Sequence, residues 1–141
     1  MIKVLMAEDS AVNRELLREL LESQGCEVEE AWDGEEAIDM LSRKRPDIVL
    51  LDIGMPKLDG FGVIRKVRED PNLADLPVLA VTAYAMRGDR EKGLELGFDG
   101  YLSKPVDRRL LFAEMDRLLS RRLSKDEVML QTASSGRPRK R

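Results

Sequence analysis

Short apolar runs alternate with longer amphipathic segments along this chain, and that alternation restricts the fold more than any other feature. The runs have the composition of buried strands, at residues 2–7, 27–31, 47–52, 76–83 and 100–105. The segments between them repeat apolar residues at helical spacing, at residues 11–23, 34–44, 60–69, 86–97 and 107–123. Strands that alternate with helices predict an α/β fold, in which helices cover both faces of a parallel sheet.

The first and last helices have clear apolar faces. Ser10 is suited to cap the start of the first helix, and Gly25 is suited to end it. Trp32, Phe61 and Phe112 are expected to be packing residues. Helical spacing predicts that the following side chains face the core: Val12, Leu16, Leu17, Leu20 and Leu21 of the first helix, and Leu110, Leu111, Met115, Leu118 and Leu119 of the last.

The composition excludes several classes of protein. The chain has no histidine, which rules out histidine zinc sites, Ser-His and Cys-His catalysis, and a phosphohistidine carrier. Cys26 is the only cysteine, so no internal disulfide can form. The first ten residues include acids where a signal peptide needs an apolar stretch, and no run reaches the roughly 18 apolar residues of a membrane span. We therefore expect a cytoplasmic protein without membrane contact.

Residues 121–141 differ in charge from the rest of the chain. They contain seven Lys or Arg and two acids, whereas the whole chain has a net charge of −3. The acidic remainder is a poor candidate for binding nucleic acid and a good one for holding a cation. SKDE, at 124–127, is a capping box that predicts a short helix over 125–131, followed by a flexible end. We thus expect one domain, 1–120, and a basic tail, 121–141.

Chemically active side chains follow four of the predicted strands. Glu8 and Asp9 follow the first strand, Asp52 ends the third, Thr82 lies near the end of the fourth, and Lys104 lies near the end of the fifth. Because ligands bind beyond the carboxyl ends of parallel strands, we expect these groups to meet at one edge of the sheet.

Three carboxylates in one pocket repel each other, so a cation is needed to balance them. An all-oxygen set of this kind suits Mg²⁺, which takes few carboxylates and keeps several waters. With the metal bound, an ionised Asp becomes a nucleophile toward phosphorus, while Lys104 and Thr82 can contact phosphoryl oxygens. The residues therefore indicate magnesium-assisted phosphoryl transfer to one of these acids.

At these motifs the chain resembles the receiver domain of response regulators, over about residues 1–120. The shared features are the acid pair Glu8-Asp9, DIGMP around Asp52, PVLAVTA around Thr82, and YLSKP around Lys104. VTAYAMRGDREKGLELGFDGYLSKPVD is similar to stand-alone receivers of the cell-cycle type and to receivers of hybrid sensor kinases. The resemblance implies a flavodoxin-like doubly wound sheet of five parallel strands, in the order 2-1-3-4-5, with five helices.

The resemblance also implies a metal-binding set. Asp52 would be the phosphoacceptor. Asp9 and Asp52 would bind Mg²⁺ directly, Gly54 would offer its backbone carbonyl, and Glu8 would act through water. Gly54 and Tyr84, each two residues after a site residue, would tune the lifetime of the phosphate by controlling access of water.

Further implied roles concern the response to phosphate. Thr82 and Lys104 would contact the phosphoryl group, and Tyr101 matches the switch aromatic that turns inward when Thr82 moves. The Lys104-Pro105 peptide bond would be cis, a form found mainly before proline.

The implied function is a receiver of a bacterial two-component phosphorelay. A histidine kinase or phosphotransfer protein would donate the phosphoryl group, and the face of helix 4, strand 5 and helix 5 would bind a downstream protein. The protein would not be an enzyme beyond Mg²⁺-dependent self-phosphorylation and autodephosphorylation at Asp52. Only 21 residues follow residue 120, too few for a DNA-binding output domain, so either output comes from protein contacts or the chain is part of something larger.

Two other functions remain as alternatives. A flavodoxin-like redox module would need a loop that accepts the FMN phosphate, but the first loop here is acidic. A phosphatase with an aspartyl intermediate would need a second Asp two residues after the nucleophile, where this chain has Gly54.

Overall fold

A computed structural model of the protein describes the backbone of residues 1–83 and 87–135, and the side chains of 1–83 and 88–121. Tyr84, proposed above to control access of water, lies outside the described residues, as do residues 136–141. The described chain forms β1 (Lys3–Ala7), α1 (Ala11–Ser23), β2 (Glu27–Ala31), α2 (Gly34–Arg43), β3 (Ile48–Leu51), α3 (Gly60–Glu69), β4 (Val78–Thr82), α4 (Arg87–Leu96), β5 (Gly100–Ser103) and α5 (Arg108–Ser135).

The strands form one parallel sheet in the order β2-β1-β3-β4-β5. This confirms the expected α/β fold and strand order. β1 and β3 are adjacent at the centre, with Ala7 opposite Leu51 at their carboxyl ends. At the same edge, Thr82 of β4 lies opposite Ser103 of β5. The residues that follow these strands therefore come together at one edge of the sheet.

Helices cover both faces of the sheet, and each face has its own apolar core. Alternate residues of a strand point to opposite faces. Thus Leu5 and Ala7 of β1 pack toward α2, α3 and α4, whereas Val4 and Met6 pack toward α1 and α5. All four residues of β3 are buried, as expected for a central strand covered on both sides.

The ends of α1 follow the predicted signals. The Ser10 side chain accepts a hydrogen bond from the backbone N–H of Asn13 at the start of the helix. Gly25, just after its end, has φ +80°, a backbone conformation that glycine adopts readily.

The predicted apolar face of α1 is only partly buried. Leu17 and Leu21 are buried, but Val12 and Leu16 are 66% and 55% exposed. Val12 and Leu16 are four residues apart, so they lie on one strip of the helix surface. This strip is next to the strip of α1 side chains that pack against the sheet. On α5, Leu110 is likewise exposed although Leu111, Met115 and Leu118 are buried. The prediction that all ten side chains face the core was wrong for these three.

The last helix is also longer than predicted. The sequence predicts a helix that ends at residue 123 and a second one over 125–131, but α5 runs without interruption from Arg108 to Ser135. No Gly or Pro occurs between residues 108 and 135, so nothing in the sequence forces a break at Ser124. Among the described residues, no helix is both long and apolar enough to cross a membrane.

Candidate functional site

The site begins where the central strands end. The backbone N–H of Asp52 donates to the carbonyl of Ala7 (2.9 Å), which continues the β1–β3 pairing by one residue. Asp52 is therefore held beside Glu8 and Asp9, the residues that follow Ala7. Lys104 follows β5, and its backbone N–H donates to the carbonyl of Thr82 (2.9 Å). The predicted site residues thus come from four strands and meet at the same edge.

Three carboxylates lie together here. Glu8, Asp9 and Asp52 each offer a carboxylate oxygen, and these oxygens lie within 4.8 Å of one another. Glu8 and Asp52 are buried, with 1% and 8% of their surface exposed, whereas Asp9 is exposed at the rim. An oxygen cluster of this size and charge, open to water on one side, suits a small divalent cation that keeps part of its water shell.

A lysine partly balances this charge. The Lys104 Nζ lies 3.1 Å from Oδ2 of Asp52 and also donates to Oε1 of Glu8. Burial lowers the pKa of the Lys104 ammonium, but the two carboxylates outweigh that effect and raise it above its ordinary value. Lys104 is therefore a fixed positive charge in the pocket. The Lys104-Pro105 peptide bond is cis, as the resemblance implied.

The two buried carboxylates differ in their affinity for a proton. Burial and the neighbouring Asp52 raise the pKa of Glu8, with Lys104 opposing. Burial acts in the same direction on Asp52, but its interactions with Glu8, the Thr82 hydroxyl and Lys104 hold the pKa of Asp52 below its ordinary value. The exposed Gly54 also donates its backbone N–H to Oδ1 of Asp52 (3.3 Å). Asp52 therefore ionises more readily than Glu8, and the ionised form is the one that a nucleophile needs.

Tyr101 lies inside the fold and not at its surface. Only 4% of the residue is exposed, and its ring meets that of Phe98 edge-on, with centroids 6.4 Å apart. Arg90 of α4 donates to the Tyr101 carbonyl (3.3 Å). Burial, with the charges of Asp89 and Asp52, raises the pKa of the Tyr101 hydroxyl to about 12. The ring already has the inward position that the resemblance associates with switching.

One residue of the site was missed by the sequence reasoning. The Arg14 side chain of α1 is buried and donates from Nη1 to the carbonyls of both Glu8 and Asp9. Its guanidinium carbon lies 4.5 Å from the ring centroid of Trp32. Arg14 falls on the same helical strip as the buried Leu17 and Leu21, and that spacing was the available signal. Trp32, expected to be a packing residue, is 60% exposed.

Comparison with known proteins identifies the class of protein that this fold and site define. Residues 4–116 match the family model of the response regulator receiver domain. The chain belongs to this family, whose members act in two-component signalling.

The similar proteins include both long and short response regulators. The chain is 42% identical over 135 residues to the response regulator PleD of Caulobacter vibrioides, and it spans 30% of the length of PleD. It is 40% identical to the polar-differentiation response regulator DivK of Brucella anthropi over 73% of this chain and 84% of DivK. The chain spans about half the length of several other curated relatives, such as the response regulator MprA of Mycobacterium.

One similar solved structure contains a metal ion in its active-site cleft. The receiver domain of the sensor histidine kinase PA1611 of Pseudomonas aeruginosa, which has a magnesium ion coordinated in its active-site cleft, superposes with a TM-score of 0.79 at 35% identity. The match covers 84% of this chain and 98% of that one. The chemotaxis protein CheY4 of Vibrio cholerae matches with a TM-score of 0.78 and 31% identity, over 84% of this chain and 98% of that one.

Proposed function

We propose that this receiver domain accepts a phosphoryl group on Asp52 from a phosphohistidine of a partner protein, with Mg²⁺ bound at Glu8, Asp9 and Asp52. The observation that carries the proposal is the convergence of three carboxylates with one lysine at the carboxyl edge of β1 and β3. Bound Mg²⁺ would shield the charge of the incoming phosphoryl group from the acid cluster.

Side chains of the protein perform the remaining steps of the phosphoryl transfer. A carboxylate oxygen of Asp52 attacks phosphorus, a P–O bond forms, and the P–N bond to the donor imidazole breaks. The Lys104 ammonium, held at 3.1 Å from Asp52, pairs with a phosphoryl oxygen, and the Thr82 hydroxyl donates to another. Hydrolysis then regenerates the acceptor: water attacks phosphorus, the P–O bond to Asp52 breaks, and inorganic phosphate leaves. With Gly54 where a phosphatase of this kind has its second acid, turnover of outside phosphoesters is not expected.

Chemical labelling tests the acceptor. Acetyl phosphate with Mg²⁺ should add one phosphoryl group to the wild-type chain, seen by intact mass, and should add none to Asp52→Ala. Asp39→Asn, at an exposed aspartate of α2, is the control and should label like wild type. Equal labelling of Asp52→Ala and wild type would refute the assignment. Chelation of the metal should abolish labelling, because the acid cluster would then repel the donor.

An exposed apolar surface beside the pocket supports a docking place for the phosphodonor. Leu16 and Leu20 of α1 form one wall of a groove of about 440 Å³, and Pro105 and Val106 form the other. Lys104, whose ammonium reaches Asp52, lines the same groove. A donor seated on this surface would bring its phosphohistidine to the open edge of the pocket.

Phosphotransfer from proteins tests the docking surface. Leu16→Glu should slow phosphorylation by a panel of histidine kinases and phosphotransfer proteins by about 10-fold or more, since central apolar contacts dominate such interfaces. Labelling by acetyl phosphate, which needs no docking, should stay unchanged. Leu94→Glu makes the same change at an exposed leucine of α4. It is the matched control in the phosphotransfer assays and should be phosphorylated like wild type. If Leu16→Glu and Leu94→Glu behave alike, the docking assignment is wrong.

The downstream target is proposed to bind the face formed by α4, β5 and α5. Tyr101 of β5 packs inside this face, and Arg90 joins α4 to β5 through the Tyr101 carbonyl. Movement of the Tyr101 ring would therefore alter the neighbouring surface, where Leu94 and Leu110 are exposed. Phosphorylation-dependent capture of a target by wild type, lost in Leu94→Glu, would support this face as the output.

A further inference from the structure

The Arg14 side chain of α1 holds the backbone of two acids of the pocket, Glu8 and Asp9. Its Nη1 donates to the carbonyl of Glu8 at 2.9 Å and to that of Asp9 at 2.8 Å. These are the two residues that turn the chain from β1 into α1. The guanidinium therefore holds the backbone from which both carboxylates extend, without itself touching either carboxylate in these bonds.

The other contacts of Arg14 fix the guanidinium in place. Its Nε lies 3.6 Å from Oε1 of Glu30 on β2, and the Arg14 and Glu30 side chains are only 10% and 24% exposed. The Trp32 ring covers the guanidinium at 4.5 Å, a distance at which a cation and an indole attract each other. A planar, delocalised group with several donors can satisfy all these partners together, whereas a lysine cannot.

We propose that Arg14 is a positioning residue for the divalent-cation site, holding the Glu8-Asp9 turn so that the two carboxylates converge with that of Asp52. This inference rests on the proposed function, because it concerns the same cation. Asp9 most needs such support, since its exposed side chain lacks the packing that fixes Glu8. Groups that orient metal ligands commonly change metal affinity by about 10- to 100-fold when they are removed.

Electrostatics alone predicts the opposite effect. Arg14 carries a positive charge near a site for a cation, so its removal should strengthen cation binding if charge were its main contribution. If Arg14 acts by positioning, its removal should weaken binding. The direction of the change therefore separates the two roles.

The experiment measures binding of Mn²⁺, which takes the same oxygen ligands as Mg²⁺, from the paramagnetic resonance signal of the free ion. Arg14→Met should lower Mn²⁺ affinity by about 10-fold or more. Arg18→Met is the matched control, because Arg18 lies one turn further along α1 and pairs with the same Glu30, but bonds the Val28 carbonyl and Glu22 elsewhere. It should bind Mn²⁺ within about twofold of wild type.

Arg14→Lys keeps the test decisive if Arg14→Met does not fold. It retains the charge but loses the planar fork, so positioning predicts weaker Mn²⁺ binding than wild type. Circular dichroism confirms that each variant is folded. An Arg14→Lys affinity equal to wild type, or an Arg14→Met affinity equal to or above it, would overturn the positioning role alone. Absence of Mn²⁺ binding by the wild type would overturn the proposed function and the positioning role together.

Discussion

The Nζ of Lys104 lies 3.1 Å from Oδ2 of Asp52, although the two residues are 52 positions apart in the sequence. The same ammonium also pairs with Glu8. One lysine thus neutralises part of the charge on two buried carboxylates. Any divalent cation that enters the pocket must share these oxygens with the lysine. Lys104 is therefore expected both to assist the phosphoryl group and to compete with the metal.

Substitution of Lys104 separates these two effects. Lys104→Met should lower phosphorylation by acetyl phosphate, because a phosphoryl oxygen loses its partner, yet Mg²⁺ should bind more tightly to the unbalanced carboxylates. Without metal, the variant should lose up to about 3 kcal/mol of stability. Addition of Mg²⁺ should therefore raise its melting temperature more than that of wild type. Lys66→Met, at an exposed lysine of α3, serves as the control, and an equal Mg²⁺ effect in both variants would contradict the prediction.

The position of Asp52 also depends on a glycine. A Cβ at Gly60, the first residue of α3, would lie 2.6 Å from the Cα of Ile53 and 2.7 Å from the Asp52 carbonyl oxygen. Both neighbours are backbone atoms, so Gly60→Ala must displace the segment that carries Asp52. We expect a loss of about 1–3 kcal/mol in the free energy of unfolding, measured in urea, together with slower labelling by acetyl phosphate.

Gly88 provides the matched comparison. A Cβ there meets nothing within 4 Å, and alanine is favoured over glycine within a helix by roughly 0.5–1 kcal/mol. Gly88→Ala should therefore leave labelling unchanged and stability equal or slightly higher. If Gly60→Ala gave the same result as Gly88→Ala, the close approach of α3 to the Asp52 segment would not limit the site.

Tyr101 should show an unusual titration. Because its pKa is raised to about 12, above the ordinary value near 10, its phenolate absorbance should appear only at more alkaline pH. The folded state then holds a proton that the unfolded state has released, so the Tyr101 contribution to stability is complete below about pH 10 and is lost as pH rises toward 12. Tyr101→Phe should remove this late titration and lessen the alkaline loss of stability. A single tyrosine transition near pH 10 in wild type would count against the buried position.

The Arg68 side chain links α3 to the segments that precede β4 and β5. Its guanidinium donates to the carbonyls of Gly97, Ala74 and Leu76 and to the Asp99 carboxylate. Lysine cannot reach all four acceptors from one position. Arg68→Lys should lower the free energy of unfolding by about 1–2 kcal/mol, since several partly buried acceptors lose their donor. Arg65→Lys, at an exposed arginine of the same helix, should change it by less than about 0.5 kcal/mol, and equal effects would show that the Arg68 contacts contribute little.

Much of the fold could be predicted because the relevant signals are local. Each strand is marked by an apolar run, and caps such as Ser10 and glycines such as Gly25 mark helix ends. The site residues could be placed together because each follows a strand of a parallel sheet. The strand order itself came only from the resemblance, since spacing does not determine which strands are neighbours.

The remaining features depend on contacts that local patterns do not contain. Periodicity identified the apolar side of α1, but how much of that side the sheet covers depends on packing, so the exposure of Val12 and Leu16 was missed. The continuation of α5 past residue 123 was missed because a capping-box pattern can also occur inside a helix. Arg14 looked like an ordinary charged residue until its distance to the Glu8 and Asp9 carbonyls was known.

The register that pairs Ala7 with Leu51 limits which insertions and deletions such a protein can tolerate. One residue inserted into or deleted from β1 or β3 would turn every later side chain of that strand to the opposite face. Asp52 would then leave its partners even though every residue of the pocket remained in the sequence. Length changes in these two strands should therefore abolish phosphorylation of Asp52, whereas replacements of Leu16 or Leu20, in the groove proposed for the donor, should alter the choice of donor and leave the acceptor site intact.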